Sequence, residues 1–284
     1  MAAGARVVAV PASEEYEAAV AEAVRRLRAG RLDKVVLARA LRLHLSEPVE
    51  VRALLANLAR DNANGYTYAV DLPGGRALVG ATPEMLLTRT GLTVEANPLA
   101  GSIPRHPDPV QDRLAAEELL ASVKDHDEHQ VVVSAVVEAL RPFCRTLTVP
   151  AAPSLVSTSA VWHLSTQVTG VLADQGVTSL RLAGALHPTP AVCGAPYAAA
   201  RDTIAELEPF DRGFYAGAIG WCDADGDGQW VVGIRCAEIA ARTMTLYAGA
   251  GIMPASQPHL ELAETSAKFA TLLRAMGMSV SPVP

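Results

Sequence analysis

A handful of ionisable side chains in this chain stand in apolar or glycine-rich surroundings, where charge is costly to bury. Lys34 opens the run KVVLAR beside Val35, Val36 and Leu37, so it is either a strand end facing water or a functional amine. Glu84 in GATPEML follows a proline and leads into an apolar strand, which allows the same two readings. His163 lies inside VWHLST. Arg235 in GIRCA sits between Ile234 and Cys236 on an expected central strand. A guanidinium buried there calls for an anion, from the protein or from a ligand. Just beyond it YAGAGIMP runs into Gly249 and Gly251, read as a glycine-rich turn whose backbone N–H groups can approach an anionic ligand. In ELAETSAK, Glu261, Glu264 and Lys268 share one helix face. Taken singly, each has a plain structural explanation: a solvated strand end, a core histidine, a surface ion pair worth little.

Two metal-like strings fail on their chemistry. DADGDGQW (223–230) begins like a calcium loop, with Asp223, Asp225, Asp227 and Gly228 in place. The twelfth position, which should be a bidentate Glu, is Ile234, and strand-like flanks replace the required helices. It reads as a polar hairpin turn. KDHDEHQ (124–130) has His126 and His129 three apart, without H-E-x-x-H and without a cysteine pair to complete a zinc site. It reads as an acidic helix face unless Glu128 meets a distant acidic partner. No phosphate-binding glycine motif occurs.

The elements that must hold these residues follow from periodicity and punctuation. Helical spacing of Tyr16, Val20, Val24 and Leu27 predicts a helix over 13–29, stopped at Gly30. Strands are expected over 34–43, 66–71, 76–80, 85–89 and 92–96, and a helix over 50–60. Four prolines and Gly101 mark 98–109 as a loop. A long helix, with a break allowed, covers 110–141, followed by strands over 146–149 and 160–172. Helices over 178–186 and 196–208 precede a hairpin of 214–221 with 230–237, a further strand over 242–248 and a last helix over 260–276. Meanders dominate and strict βαβ alternation is absent, which makes this an α+β fold with large, mostly antiparallel sheets flanked by helices.

Composition bounds the rest. A chain of 284 residues gives a prior of roughly two domains, though a large mixed sheet can run this long as one. With 50% hydrophobic and 19% charged residues it is not a disordered acidic chain. Its net charge of −6 gives no basic surplus for nucleic acid. Cys144, Cys193, Cys222 and Cys236 form no C-x-x-C pair and read as free thiols. The apolar patch Val7–Val10 is too short for a signal peptide, and no run reaches the ~18 residues of a membrane span. The expectation is a soluble, cytoplasmic protein with no membrane partner, a monomer, with a dimer as the alternative.

Read together, PLAGS, KDHDEH, HLS, LHPTPAVCG, FYAG, IRCA, AGAGI and ET-x-x-K stand in an order that resembles the chorismate-utilising enzymes, and within them the isochorismate synthases. The resemblance covers residues 31–277. It implies a short N-terminal helix region over 1–30, a catalytic domain over 31–277 with the chorismate-binding fold of anthranilate synthase component I, and a tail over 278–284. It implies a Mg²⁺-dependent reaction in which water attacks C2 of chorismate and the C4 hydroxyl is lost. Lys34 then resembles the general base, which demands an amine pKa lowered by ~3 units. Glu84 resembles the general acid, which demands the opposite shift. Glu128 and Glu264 match the two metal carboxylates, a count suited to Mg²⁺. Arg235, Lys268 and the Gly249 N–H would hold the substrate's anionic groups. Gly101, Ser102 and Ala191 match further substrate contacts, and His163 resembles a histidine that orients the leaving hydroxyl. Lys at 34 rather than Gln favours water over ammonia, and Ala rather than Thr at 191 favours release of isochorismate over the salicylate synthase alternative. Cys193 stands where Ser is usual, and Tyr215 where isochorismate synthases often have Phe. Only 33 residues precede Lys34, fewer than in such enzymes, which would leave sheet edges exposed. A catalytically inert chorismate-binding relative is the reading from another class.

Overall fold

The computed structural model describes residues 5–62 and 65–278; of the expected tail, 279–284 lie outside the described residues. Every strand pairing among these residues is antiparallel. The larger sheet runs Arg6–Val10, Lys34–His44, Thr243–Ile252, Cys236–Ala240, Arg76–Thr82, Tyr66–Leu72, with Gly194–Ala195 paired to the start of Lys34–His44. A six-stranded sheet runs Ala218–Cys222, Gly228–Val232, Met85–Thr90, Thr93–Asn97, Val168–Leu172, Cys144–Thr148. A three-stranded sheet places Val161–Ser165 between Leu99–Pro104 and Ser154–Ser157. This is the expected α+β architecture of antiparallel sheets flanked by helices.

Alternation along the central strands explains where the core and the polar groups go. In Lys34–His44 the odd positions Val35, Leu37, Leu41 and Leu43 are buried in the apolar clusters beneath the helices. There Leu54 and Leu58 of helix Val51–Asp61 and Phe269, Leu272 and Leu273 of helix Pro258–Ala275 cover Leu41 and Leu43, while Tyr16, Val20 and Val24 of helix Ser13–Arg28 cluster with Val35 and Leu37. The opposite face carries Lys34, Val36 and Ala38. The partner strand follows the same rule in register, with Gly249 opposite Ala38 and Gly251 opposite Val36. A second core fills the space between the two large sheets, where Leu78 and Ala38 meet Leu86, Leu87 and Val94 under helix Val123–Leu140.

Several expectations are corrected. The proline-rich stretch 98–109 is not all loop: Leu99–Pro104 is a strand, because its prolines bound the ladder and do not interrupt it. Gly101 takes φ +74° at the register shift opposite His163/Leu164, a bulge that turns this strand toward helix Val123–Leu140. The span 160–172 is two strands in different sheets, Val161–Ser165 and Val168–Leu172. The expected 214–221/230–237 hairpin is Ala218–Cys222 with Gly228–Val232, while Cys236–Ala240 belongs to the larger sheet. Arg235 is therefore not on a central strand. It occupies the crossover between sheets, at φ +49°. The glycines of YAGAGIMP are not in a turn either, since the strand Thr243–Ile252 runs straight through them. The long helix breaks at Ser122, whose side chain caps the second part, Val123–Leu140. The DADGDGQW string is the hairpin turn, closed by Asp227 on the buried Arg89 at 2.6 Å.

One buried bracket ties these parts together. Arg212 donates to Val192 O at 2.7 Å and Val36 O at 2.8 Å, and pairs with Glu208, which also accepts from Ala38 N at 2.8 Å. Removing the carboxylate strands a guanidinium and a backbone N–H. Glu208→Ala should destabilise the fold by ~3–5 kcal/mol in a urea titration, and a change under 1 kcal/mol would show that the bracket is solvated.

Candidate active site

Crossing of the sheets leaves a narrow pocket of about 50 Å³. Its walls come from the odd positions of Thr243–Ile252, the bulged strand Leu99–Pro104, the crossover at Arg235, the loop at Ala191–Val192 and the two helices carrying Glu128 and Glu264. Glu84, Gly101, Ser102, Glu128, His163, Ala191, Arg235, Gly249, Glu264 and Lys268 all line it. Lys34 stands beside it, fully buried, with Nζ 2.9 Å from Glu128 Oε1 though off hydrogen-bond alignment. Eleven positions spread from 34 to 268 thus gather at one place.

Each charge has a physical setting. Glu84 is 4% exposed, and burial pushes its carboxyl up to about 7, against the pull of Lys34, Arg235 and Lys268 and a hydrogen bond from the Leu99 backbone. Near neutral pH it can carry a proton to give away. His163 is driven well below its ordinary value by burial and by Arg235 and Lys268, so it is neutral. Its Nε2 lies 3.2 Å from Arg235 Nη2 and can accept from it. Arg235 is buried and lowered by desolvation, and its hydrogen-bond partner is that neutral ring, not a carboxylate. A guanidinium so placed is set for an anion from outside.

The helix face 261–268 is not a surface ion pair. Glu264 pairs with Lys268 at 2.5 Å, and Lys268 also donates to Gly249 O at 2.7 Å. Burial raises Glu264, but Lys268, Lys124 and a Ser102 hydrogen bond hold it below the usual carboxylate value. Glu261, 1% exposed, is pushed to about 7 by burial and by the Glu264 charge, while Lys124 at 3.0 Å pulls it back.

Backbone choices make room for these groups. A Cβ on Gly251 would lie 2.1 Å from Glu128 Oε1, and one on Gly101 would lie 2.9 Å from the Asp125 Cβ. The glycines at 249 and 251 contribute space on a strand face rather than a nest of amides. Sequence reading missed Tyr247 and Val36 in the pocket wall, and Lys124 and Glu261 beside it. Lys124 and Glu128, four apart, carried a helix-face signal in KDHDEHQ, but nothing local placed that face indoors.

The residues fit a divalent cation. Glu128 and Glu264 face one pocket from two helices and bring hard carboxylate oxygens to it. Among the described residues no group of three or more His, Cys, Asp or Glu is arranged to hold an ion. An oxygen-seeking ion such as Mg²⁺ would complete its shell from water and substrate.

Comparisons with known proteins agree on the fold. A family model described as "Chorismate binding enzyme" matches residues 5–277. The isochorismate synthase DhbC of Bacillus subtilis (strain 168) is 54% identical over 275 residues, covering 95% of this chain and 69% of that protein. The crystal structure of DhbC from Bacillus anthracis superposes with a TM-score of 0.96 at 50% identity, over 97% of this chain and 75% of that one. Anthranilate synthase component I from Streptococcus pneumoniae superposes with a TM-score of 0.82 at 27% identity, over 95% of this chain and 60% of that one.

The raised Glu84 has a consequence for stability without any ligand. An unfolded Glu releases its proton near 4.5, whereas folded Glu84 holds it to about 7. Stability is therefore lost as pH climbs through that window, by up to ~3 kcal/mol. Glu84→Gln should melt progressively higher than the parent between pH 5 and pH 8. An unchanged Tm difference across that range would show that the carboxyl is ordinary.

Proposed function

The chain belongs to the chorismate-binding enzymes, and from that premise we propose that it is an isochorismate synthase, converting chorismate to isochorismate. The observation that carries the reading is the convergence of a buried amine, a carboxyl raised to about 7 and an unneutralised guanidinium around one pocket. Lys34 takes a proton from the attacking water as its oxygen bonds to C2. The electron pair passes round the ring as its two double bonds shift, and the C4–O bond breaks. Glu84 donates its proton to the departing oxygen, so water is consumed and water is released. Neutral His163, fixed by Arg235, orients the C4 hydroxyl. Arg235 and Lys268 hold carboxylates of the substrate, with Gly101, Ser102, Ala191 and Gly249 shaping the wall around it. Glu128 and Glu264 would hold Mg²⁺, which when bound neutralises the ring carboxylate. Residues 31–277 form the catalytic unit. No helix among the described residues is long and apolar enough to cross a membrane.

Chorismate and Mg²⁺ incubated with the purified chain should yield a product of unchanged mass and new retention time. Salicylate with pyruvate would select the salicylate synthase instead, and bound but unconverted chorismate the inert relative. Because Glu84 must be protonated, forward kcat/KM should fall as pH rises above about 7. Glu264→Gln should reduce turnover by more than the ~10–100-fold typical of outer-shell partners of a metal, with little change in Tm. Ordinary Mg²⁺ dependence in that variant would remove Glu264 from the metal site.

A further inference from the structure

Two further cavities share wall residues with the active pocket. The outer one, about 230 Å³, opens at the surface between Asp61, Asn62 and the segment Ser157–Ser159, and its inner wall is Pro83. The inner one is about 10 Å³, bounded by Asn62, Ala81, Thr158, Thr271 and Arg235. They share Asp61, Asn62, Thr158 and Ser159 with each other. Arg235 and Pro83 in turn also line the active pocket.

The inner cavity has the size and chemistry of a water site. A buried water needs roughly 10–15 Å³ and two to four polar partners. Arg235 is 5% exposed, and its Nε is buried without a hydrogen-bond partner among the described residues. Asn62 Nδ2 is in the same condition. Leaving two buried donors unmet is costly, and one water oxygen can accept from both while donating to the threonine side. Leu58 on the remaining wall keeps the space from widening.

We propose that these two cavities form a water exit on the general-acid side of the active pocket, with one ordered water held by Arg235 and Asn62 as its inner station. The proposal rests on the isochorismate synthase reading and specifies its departing group. When Glu84 gives its proton to the C4 oxygen and the C4–O bond breaks, the oxygen keeps the bonding pair and a neutral water results. That water forms beside Pro83 and Arg235, the residues that separate the pocket from this path. Pro83, the residue before Glu84, is the link between the outer cavity and the acid side of the pocket. Exit through this path prevents the released water from attacking again.

Chorismate carrying ¹⁸O in its C4 hydroxyl tests this. Ser159 is exposed at the outer mouth, so Ser159→Phe narrows the path without touching the core, and Ser159→Ala is the open control. Thr271→Leu fills the inner cavity independently. With the parent and Ser159→Ala, isochorismate should take its C2 oxygen from bulk water. With Ser159→Phe and Thr271→Leu, kcat should fall several-fold at a KM within about twofold of the parent. The share of product carrying the original label at C2 should rise. A crystal structure of the parent should show one water within hydrogen-bond reach of Arg235 Nε. A dry inner cavity, or unchanged kcat and full loss of label in both filled variants, overturns the exit. A parent that forms no isochorismate overturns the functional reading itself.

Discussion

The constraint on which the rest depends is the burial of opposite charges where two apolar sheets cross. Lys34, Arg235 and Lys268 meet in a low-dielectric interior, where an isolated ion either finds a partner or loses its charge. Glu128 answers Lys34, and Glu264 answers Lys268. Glu84 is left with three cations nearby and yet is raised, because desolvation outweighs their pull. The result is two ion pairs beside a protonatable carboxyl, with Arg235 hydrogen-bonded to an uncharged imidazole. Such a site is expensive for the fold and is the kind of arrangement found where chemistry is done.

The scaffold supports that expense by geometry more than by extra contacts. A strict period of two on Lys34–His44 and Thr243–Ile252 sends one side chain set into the helix-covered core and the other into the pocket. The same alternation makes glycine necessary at 251, since the carboxylate of Glu128 occupies the space a side chain would need. At Gly101 a bulge bends the neighbouring strand so that Ser102 reaches Glu264 while the ladder with Val161–Ser165 continues. The Glu208–Arg212 bracket joins the strand after Lys34 to the loop after Ala191, so the amine and the opposite wall are held by one ion pair.

The errors in reading the sequence share a cause. PLAGSIPR reads as a loop because prolines punctuate it, yet they fall at the ends of a strand whose partner lies some sixty residues on. IRCA and GQWVV look like one apolar strand, and only the sheets they join separate them at Arg235. Lys124 and Glu261 each looked like surface residues on an amphipathic helix. They are indoors because the two helices pack toward one pocket. In each case local pattern identified an element or a face, and a partner distant in sequence decided its environment.

By itself the sequence determined the inventory: the α+β class, most helices and strands within a few residues, and the ordered set of motifs that carries nine of the eleven site residues. The class and the elements follow from periodicity, punctuation and residue type, which are local quantities, whereas the site residues follow from the resemblance that the order of the motifs carries. Tertiary structure alone decided that Glu84 is raised while Glu264 is lowered, that Arg235 sits on a strained crossover, and that the glycines of AGAGI provide room rather than a turn. The reason is that desolvation, Coulomb interaction and steric space depend on neighbours brought from across the chain, and no stretch of sequence contains its own surroundings.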